Sequence, residues 1–364
     1  MMDDAAAVEK MTADAKLKTS VFKCPNCGGE AEFDAKTQKL HCLYCGGYYE
    51  IQNNEKVTEN ELSELLDKAT VWNEAEVYEC KSCGAKEILD KQEVATVCPF
   101  CGTNNVVRTE DLPGIKPQGV VTFKIEKSNA SDIAKAWAKK DWFAPNDFKR
   151  SATTENIHGV YNPVFTFDAE TKSDYDGRLG KYYTVRRGKH TYTEVRYFHI
   201  SGKDYPLNFD DFIVQASTSV PQKHISKISP FPTNGAPVFK SEYLRGFSAN
   251  AYNKDGKVCW DECKELMRIE IEKRILSKYN YDVKSYVNIS TKFNHPLYKY
   301  ILVPLYIGNY RYKEKIFNFF INGSNGKISG SRPKSFWKIL FATILGLIVA
   351  GLIIYLMFLG DFVD

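Results

Sequence analysis

Two cysteine quartets of identical spacing constrain this chain more than any other feature. Cys24, Cys27, Cys42 and Cys45 read C-x2-C-x14-C-x2-C, and Cys80, Cys83, Cys98 and Cys101 repeat that spacing 56 residues later. A C-x2-C turn presents two thiolates from one knuckle, and Zn²⁺ takes four such soft ligands tetrahedrally. Two knuckles joined by 14 residues, enough for a short hairpin, make a closed site of zinc-ribbon type. Gly28, Gly46, Gly84 and Gly102 each follow the second cysteine of a knuckle, where the tight turn favours positive φ. Pro25 and Pro99 preset φ inside two of the knuckles. Two structural Zn²⁺ sites are expected, with no position open to water and so no catalytic role. A disulfide framework is one alternative, but it needs an oxidising compartment. Residues 1–20 carry seven charges and lack the apolar core of a signal peptide. A rubredoxin-type iron site is the other alternative.

The opposite end of the chain is as constrained. Ile339 to Gly360 is 22 residues without a charge. As a helix it is about 33 Å long, enough to cross a hydrocarbon core of about 30 Å. Arg332, Lys334 and Lys338 precede it, Asp361 and Asp364 follow, and Phe336 and Trp337 stand where an aromatic belt forms. The expected location is the cell membrane, single-pass, with the N-terminal side cytoplasmic. Ala342, Gly346 and Ala350 share one face of the span, a pattern that permits a homo- or hetero-oligomeric helix contact.

Charge separates the classes of partner. Residues 21–110 hold nine Lys+Arg against sixteen Asp+Glu, a balance of −7, and thiolate-bound zinc makes it more negative. Such a surface repels phosphates rather than neutralising them, so the ribbons read as protein-docking modules and nucleic acid is not the expected partner. From Arg311 to Lys338 there are seven Lys/Arg and one Glu, a balance suited to the anionic lipid surface beside the span.

The fold class expected is α+β: two small zinc ribbons, a central mixed α+β domain and one C-terminal transmembrane helix. The divisions are a disordered terminus (1–20), ribbon 1 (21–51), a helical linker (52–76), ribbon 2 (77–110), an α+β cytoplasmic domain (111–335), the span (336–360) and an extracytoplasmic stub (361–364). Thr58 and Glu61 have capping-box spacing before Leu62, Leu65 and Leu66, which predicts a short linker helix over 58–68. Val120, Val121, Phe123 and Ile125 suggest a strand, and Ser131-Asp132 a helix cap before Ile133, Ala136 and Trp137. Polar and aromatic residues alternate through 159–208 as in strands. Cys263, Met267, Ile271 and Ile275 at i+4 spacing predict a helix over 258–279. Strands are expected over 283–289, 301–312 and 316–321, with Asn322-Gly323 and Asn325-Gly326 turning at positive φ. Asn162-Pro163-Val164-Phe165 loosely echoes Val303-Pro304-Leu305-Tyr306, which raises an internal duplication.

Two N-terminal ribbons, GVYNPVFTFD (159–168), VPLYIGNYRY (303–312) and INGSNGKISGSRP (321–333) before an apolar helix resemble the YdjG-like bacterial proteins. These are TFIIB-type zinc-ribbon membrane proteins of a PspA/SPFH-associated envelope-stress family. The resemblance covers essentially the whole chain, although Val164-Phe165-Thr166 stands where a more aromatic run belongs. It implies a membrane-anchored protein that helps recruit a membrane scaffold protein of SPFH (flotillin) type.

An enzyme is not expected. The chain has no Walker A loop, H-E-x-x-H, G-x-S-x-G or G-x-G-x-x-G, and its six histidines are scattered. His41 abuts Cys42, but the complete quartet leaves it no ligand role. Cys259 and Cys263 lie one helical turn apart, a spacing open to a metal half-site or a redox pair, with core packing the favoured reading. The expected function is a non-enzymatic membrane-anchored adaptor, and the alternative is a membrane-tethered nucleic-acid-binding ribbon protein.

Overall fold

The computed structural model describes residues 23–67, 76–89, 98–103, 106–109, 116–151, 157–188, 190–312 and 315–360. Residues 1–22 and 361–364, where a disordered terminus and an extracytoplasmic stub are expected, fall outside those residues. The architecture is mixed α+β, with two cysteine quartets at one end of the chain and one long apolar helix at the other.

Ribbon 1 is a three-stranded antiparallel sheet, β1 (Ala31–Asp34), β2 (Lys39–Cys42) and β3 (Tyr48–Tyr49). After it come β4 (Asn60–Glu61) and α1 (Leu62–Asp67). The linker helix therefore starts at Leu62, and the Thr58/Glu61 capping box expected from sequence does not form. Asn60 and Glu61 instead pair with Tyr298 and Leu297, because a strand partner satisfies backbone that a cap would leave half-used. Leu62 and Leu65 are buried as expected.

Ribbon 2 contributes β5 (Glu76–Cys80), β6 (Lys86–Leu89) and β7 (Val106–Thr109). Next are β8 (Gly119–Val120), α2 (Lys127–Lys140) and α3 (Asn146–Ser151). The strand expected through Ile125 is only β8, and its continuation runs irregularly with Phe123 buried in an aromatic nest. Ser131-Asp132 does not cap α2; the helix begins one turn earlier, after Glu126. Burying Ala130, Ala134 and Ala138 along one stripe outweighs the local preference of Ser and Asp for a cap.

Three long strands carry the rest. They are β9 (Ile157–Arg187), β10 (His190–Gln215) and β12 (Val283–Tyr312); the order from β10 to β12 is α4 (Gln222–Ile228), β11 (Ser248–Asn250) and α5 (Gly256–Leu276). The chain closes with β13 (Lys315–Asn322), β14 (Ile328–Gly330) and α6 (Phe336–Gly360). Strand β9 pairs antiparallel with β12 along one edge; its other edge takes β11 at Val160–Tyr161 and then β10 from Val164 onward. The free edge of β12 is covered in turn by β4, β8 and β13. Ribbon 2 joins the same sheet, because β6 pairs with β11. The two echoing segments prove to be cross-strand partners, Asn162 opposite Val303 and Pro163 opposite Leu302.

A buried polar knot marks where β9 exchanges partners. Asn162 and Gln215 exchange two side-chain hydrogen bonds at 2.7 and 3.1 Å, and Asn250 donates to Asn162 Oδ1 at 3.1 Å and to Ser217 at 2.9 Å. Pro163 has no N–H to leave unpaired at the gap, and its carbonyl accepts from Ala216. At the far end of the sheet Asn322 plays a similar part, donating to the Ile228 and Pro230 carbonyls and accepting from Ser324. Of the two glycines expected at positive φ there, only Gly326 adopts it. Gly323 instead lets the Phe123 ring approach to where a Cβ would stand 2.5 Å away.

Candidate metal centres

The four knuckles are built alike. In each, the glycine N–H donates to the carbonyl of the first cysteine at 2.8 or 2.9 Å: Gly28 to Cys24, Gly46 to Cys42, Gly84 to Cys80 and Gly102 to Cys98. A second bond returns from each first cysteine's N–H to the residue after the glycine, namely Gly29, Gly47, Ala85 and Thr103. All four glycines have φ between 71° and 73°, as the spacing predicts. At Gly28, Gly46 and Gly84 nothing stands within 4 Å of an added Cβ, so conformation rather than space demands glycine there.

The knuckles bring the sulfurs together. Cys24 and Cys45 lie 3.4 Å apart and Cys27 and Cys42 3.5 Å apart; in the second quartet Cys80–Cys101 is 3.6 Å and Cys83–Cys98 3.7 Å. All ligand atoms within a quartet lie within 4.8 Å of one another. A tetrahedron with metal–sulfur bonds of about 2.3 Å has edges of about 3.8 Å, whereas a disulfide needs about 2.05 Å. Both quartets could hold a metal ion, and none of the ten cysteines is in a disulfide.

Hydroxyl groups back the first cysteine of each set. Tyr49 OH lies 3.0 Å from Cys24 Sγ, and Thr103 Oγ1 lies 3.4 Å from Cys80 Sγ and 3.2 Å from Cys101 Sγ. Burial opposes ionisation at Cys24, but the Tyr49 hydroxyl and the knuckle N–H groups outweigh it and hold that thiol down at about 6. Cys80 behaves alike, with Thr103 in place of Tyr49, and is also held at about 6. Outer hydroxyls of this kind orient and stabilise thiolate ligands. Tyr49→Phe is expected to weaken metal retention in the first quartet about 10-fold. Competition with a chelator checks this, and the second quartet serves as the internal standard.

Neither ribbon hangs free. Phe33, Leu40 and Cys42 share one buried cluster with Phe123, Tyr161, Leu302 and Tyr306. Gln38, at φ 60°, donates to the Phe123 carbonyl at 2.7 Å and accepts from Thr122 at 2.6 Å. In ribbon 2, Cys80, Cys98 and Phe100 pack with Val160, Val303 and Leu305. Four of the eight cysteines, Cys24, Cys42, Cys80 and Cys98, are thus part of the buried core, a placement their spacing does not reveal.

The other sequence candidates resolve differently. Cys259 and Cys263 are fully buried in α5 beside Phe165, Phe167 and Met267, as core residues. Burial pushes the Cys259 thiol up to about 12 and raises Cys263 further, so neither offers a thiolate. His41 stacks on Tyr48 at 4.6 Å. A third cluster escaped sequence reading: Glu59, Asp168 and Asp210 place carboxylate oxygens within 4.8 Å of one another. A buried lysine reaches one of its members: Lys299 Nζ sits 3.0 Å from Glu59, and 2.6 Å from the neighbouring Asp211. The basic run before α6 is also partly spoken for: Lys338 donates to the Trp142 and Ala144 carbonyls and to Asn146, and Arg332 pairs with Asp141.

Fold and sites together define a two-quartet α+β protein with one C-terminal helix long and apolar enough to cross a membrane. Its sequence is similar to that of YdjG from Bacillus subtilis (strain 168), described as an uncharacterized protein. The two are 28% identical over 324 residues, which span 87% of this chain and 91% of that one. No protein-family profile and no solved structure matches the chain.

Proposed function

We propose that this chain is a non-enzymatic adaptor, anchored by α6 to the cytoplasmic face of a bacterial membrane and shaped by two structural zinc ions. The observation that carries the reading is α6 itself. The window Phe336–Ile353 is apolar except for Lys338 and Thr343, and none of it is buried by the rest of the chain. An uncovered apolar surface of that size is a liability in water and a span in a bilayer. Arg332, Lys334 and Lys338 at its start favour a cytoplasmic body.

Four cysteine ligands per site leave no coordination position for substrate, which suits zinc in a structural role. What the body offers outward suits docking. Leu43 and Tyr44 on ribbon 1 are 58% and 77% exposed, with Tyr48 beside them. The β9–β10 hairpin carries exposed Tyr182, Tyr192 and Tyr197, and residues 178–200 hold six Lys/Arg against one Glu. The family resemblance supplies the partner: an SPFH-type membrane scaffold in an envelope-stress response.

The test is a detergent pull-down from native membranes with wild type and a Leu43→Ser/Tyr44→Ser variant, whose substituted side chains are exposed. A scaffold of SPFH type is expected with wild type and is lost in the variant at unchanged metal content. Recovery of nucleic acid, or of nothing specific, sinks the adaptor reading.

A further inference from the structure

The loop between α2 and α3 presents two large aromatic side chains to the outside. Trp142 and Phe143 are 54% and 39% exposed and pack edge to face, with ring centroids 5.1 Å apart. Ala144 and Phe148, just beyond, are buried, so the segment has a core to turn toward and these two rings do not use it. A hydrogen bond and an ion pair tie the loop down. Asp141 accepts from the Phe143 N–H at 3.0 Å and pairs with Arg332, whose guanidinium lies 3.8 Å over the Trp137 ring.

The same loop is bolted to the start of α6. Ser335 N–H donates to the Phe143 carbonyl at 2.8 Å. Lys338, in the first turn of the helix, donates to the carbonyls of Trp142 at 3.1 Å and Ala144 at 2.8 Å and to Asn146 Oδ1 at 2.7 Å. A lysine ammonium reaches only the length of its own four-carbon stem. The Trp142 backbone therefore lies one side-chain length from the first turn of α6, level with Phe336 and Trp337. Those two rings are themselves 70% and 75% exposed. A bilayer crossed by α6 meets Trp142 and Phe143 at its headgroup layer, where indole and phenyl rings are favoured.

We propose that Trp142 and Phe143 form a second membrane-interfacial contact, a fixed aromatic wedge seated in the headgroup region of an anionic bilayer beside α6. The proposal rests on reading α6 as a membrane span. Charge at the site agrees with an anionic leaflet: Lys139, Lys140 and Lys334 are exposed around the loop. Of the nearby acids, Asp141 is paired with Arg332, and Asp147 accepts from Tyr312 OH at 2.9 Å. Two membrane contacts joined by a hydrogen-bonded junction give the body one orientation on the surface.

The experiment uses the full chain reconstituted in phosphatidylcholine/phosphatidylglycerol vesicles, with bromine on the lipid acyl chains either near the headgroup or near the bilayer centre. Bromine quenches indole emission on contact. Subtracting the spectrum of Trp142→Phe from that of wild type isolates Trp142, and Trp337→Phe isolates Trp337 in the same way. Expected is a blue-shifted Trp142 emission quenched more by shallow than by deep bromine, matching Trp337. If Trp337 is quenched while Trp142 emits as a water-exposed indole, the wedge is wrong and the span stands. If neither is quenched and the chain does not float with the vesicles, both readings fall.

Discussion

Cys42→Ser is expected to abolish metal binding at the first quartet and to unlock part of the main core. Strands β1, β2 and β3 have four, four and two residues, too few to hold a sheet without help. Metal at a closed cysteine site supplies about 10–16 kcal/mol of apparent binding free energy, as much as a whole domain's stability of about 5–15 kcal/mol. Serine cannot replace a buried thiolate ligand, and Cys42 is fully buried at the end of β2. The loss propagates because Phe33, Leu40 and the Gln38 turn cover Phe123, whose ring stacks on Phe247 at 4.1 Å. Hydrogen exchange should show protection lost over residues 31–42, with acceleration over 120–123. Cys98→Ser should act on the other quartet and release the β6–β11 pairing instead. Elemental analysis of wild type should give two zinc ions per chain. Two ions retained in Cys42→Ser, or unchanged exchange, would refute a metal role for this quartet.

What the sequence displayed well was what local chemistry dictates. A knuckle needs glycine at positive φ directly after its second cysteine, and all four occur in register. Helix α5 buries Cys263, Met267, Ile271 and Ile275 at the spacing that betrays them. The strands were legible only in pieces. Asp204, Asp211 and His295 sit at positive φ in bulges where the pairing of β10 with β9, or of β12 with β9, slips. Such residues read as turns, so β12 looks like two strands separated at Asn294-His295-Pro296. In fact the bulges are braced: Asp168 and Asp174 of β9 accept the N–H groups of Asp211 and Asp204 at 2.6 and 2.9 Å. The docking of the ribbons was hidden for another reason. Phe33 and Tyr243 meet edge to face at 5.7 Å but are 210 positions apart, and no local pattern reports a contact at that separation. The same holds for the acids gathered on Lys299, which come from three separate segments.

Lys299→Met is expected to destabilise the protein by about 3–5 kcal/mol, because removing one partner strands buried charge of the other sign. The Lys299 side chain is only 6% exposed and bridges Glu59, on the linker just before β4, to Asp211 in a β10 bulge. Burial alone would lower the lysine's pKa; the bonds to Asp211 and Glu59 outweigh it and raise it, so the ammonium stays charged. Thr233 also donates to Asp211 at 2.9 Å. Asp168 stands behind this pair, pushed up to about 7 by burial and by its contact with Glu59, against the opposing Asp211 N–H bond. An ordinary aspartate in an unfolded chain titrates at about 3.9. The folded state thus binds this proton more tightly, and the stability it contributes is full below about pH 4 and fades as pH rises through about 7. Without the lysine the carboxylates repel one another most when ionised, so the loss in Lys299→Met should be larger at pH 8 than at pH 5. Asp168→Asn, which imitates the protonated acid, should be near neutral at pH 5, stabilising at pH 8, and should soften the effect of Lys299→Met in the double variant. Buried histidines such as His224, whose pKa is lowered, titrate with the opposite sign, but they are common to all four proteins and cancel in the comparison. Thermal unfolding at the two pH values decides the matter. Equal melting of Lys299→Met and wild type would remove the lysine as the counter-ion, and an unchanged pH slope in Asp168→Asn would remove Asp168 as the group that titrates.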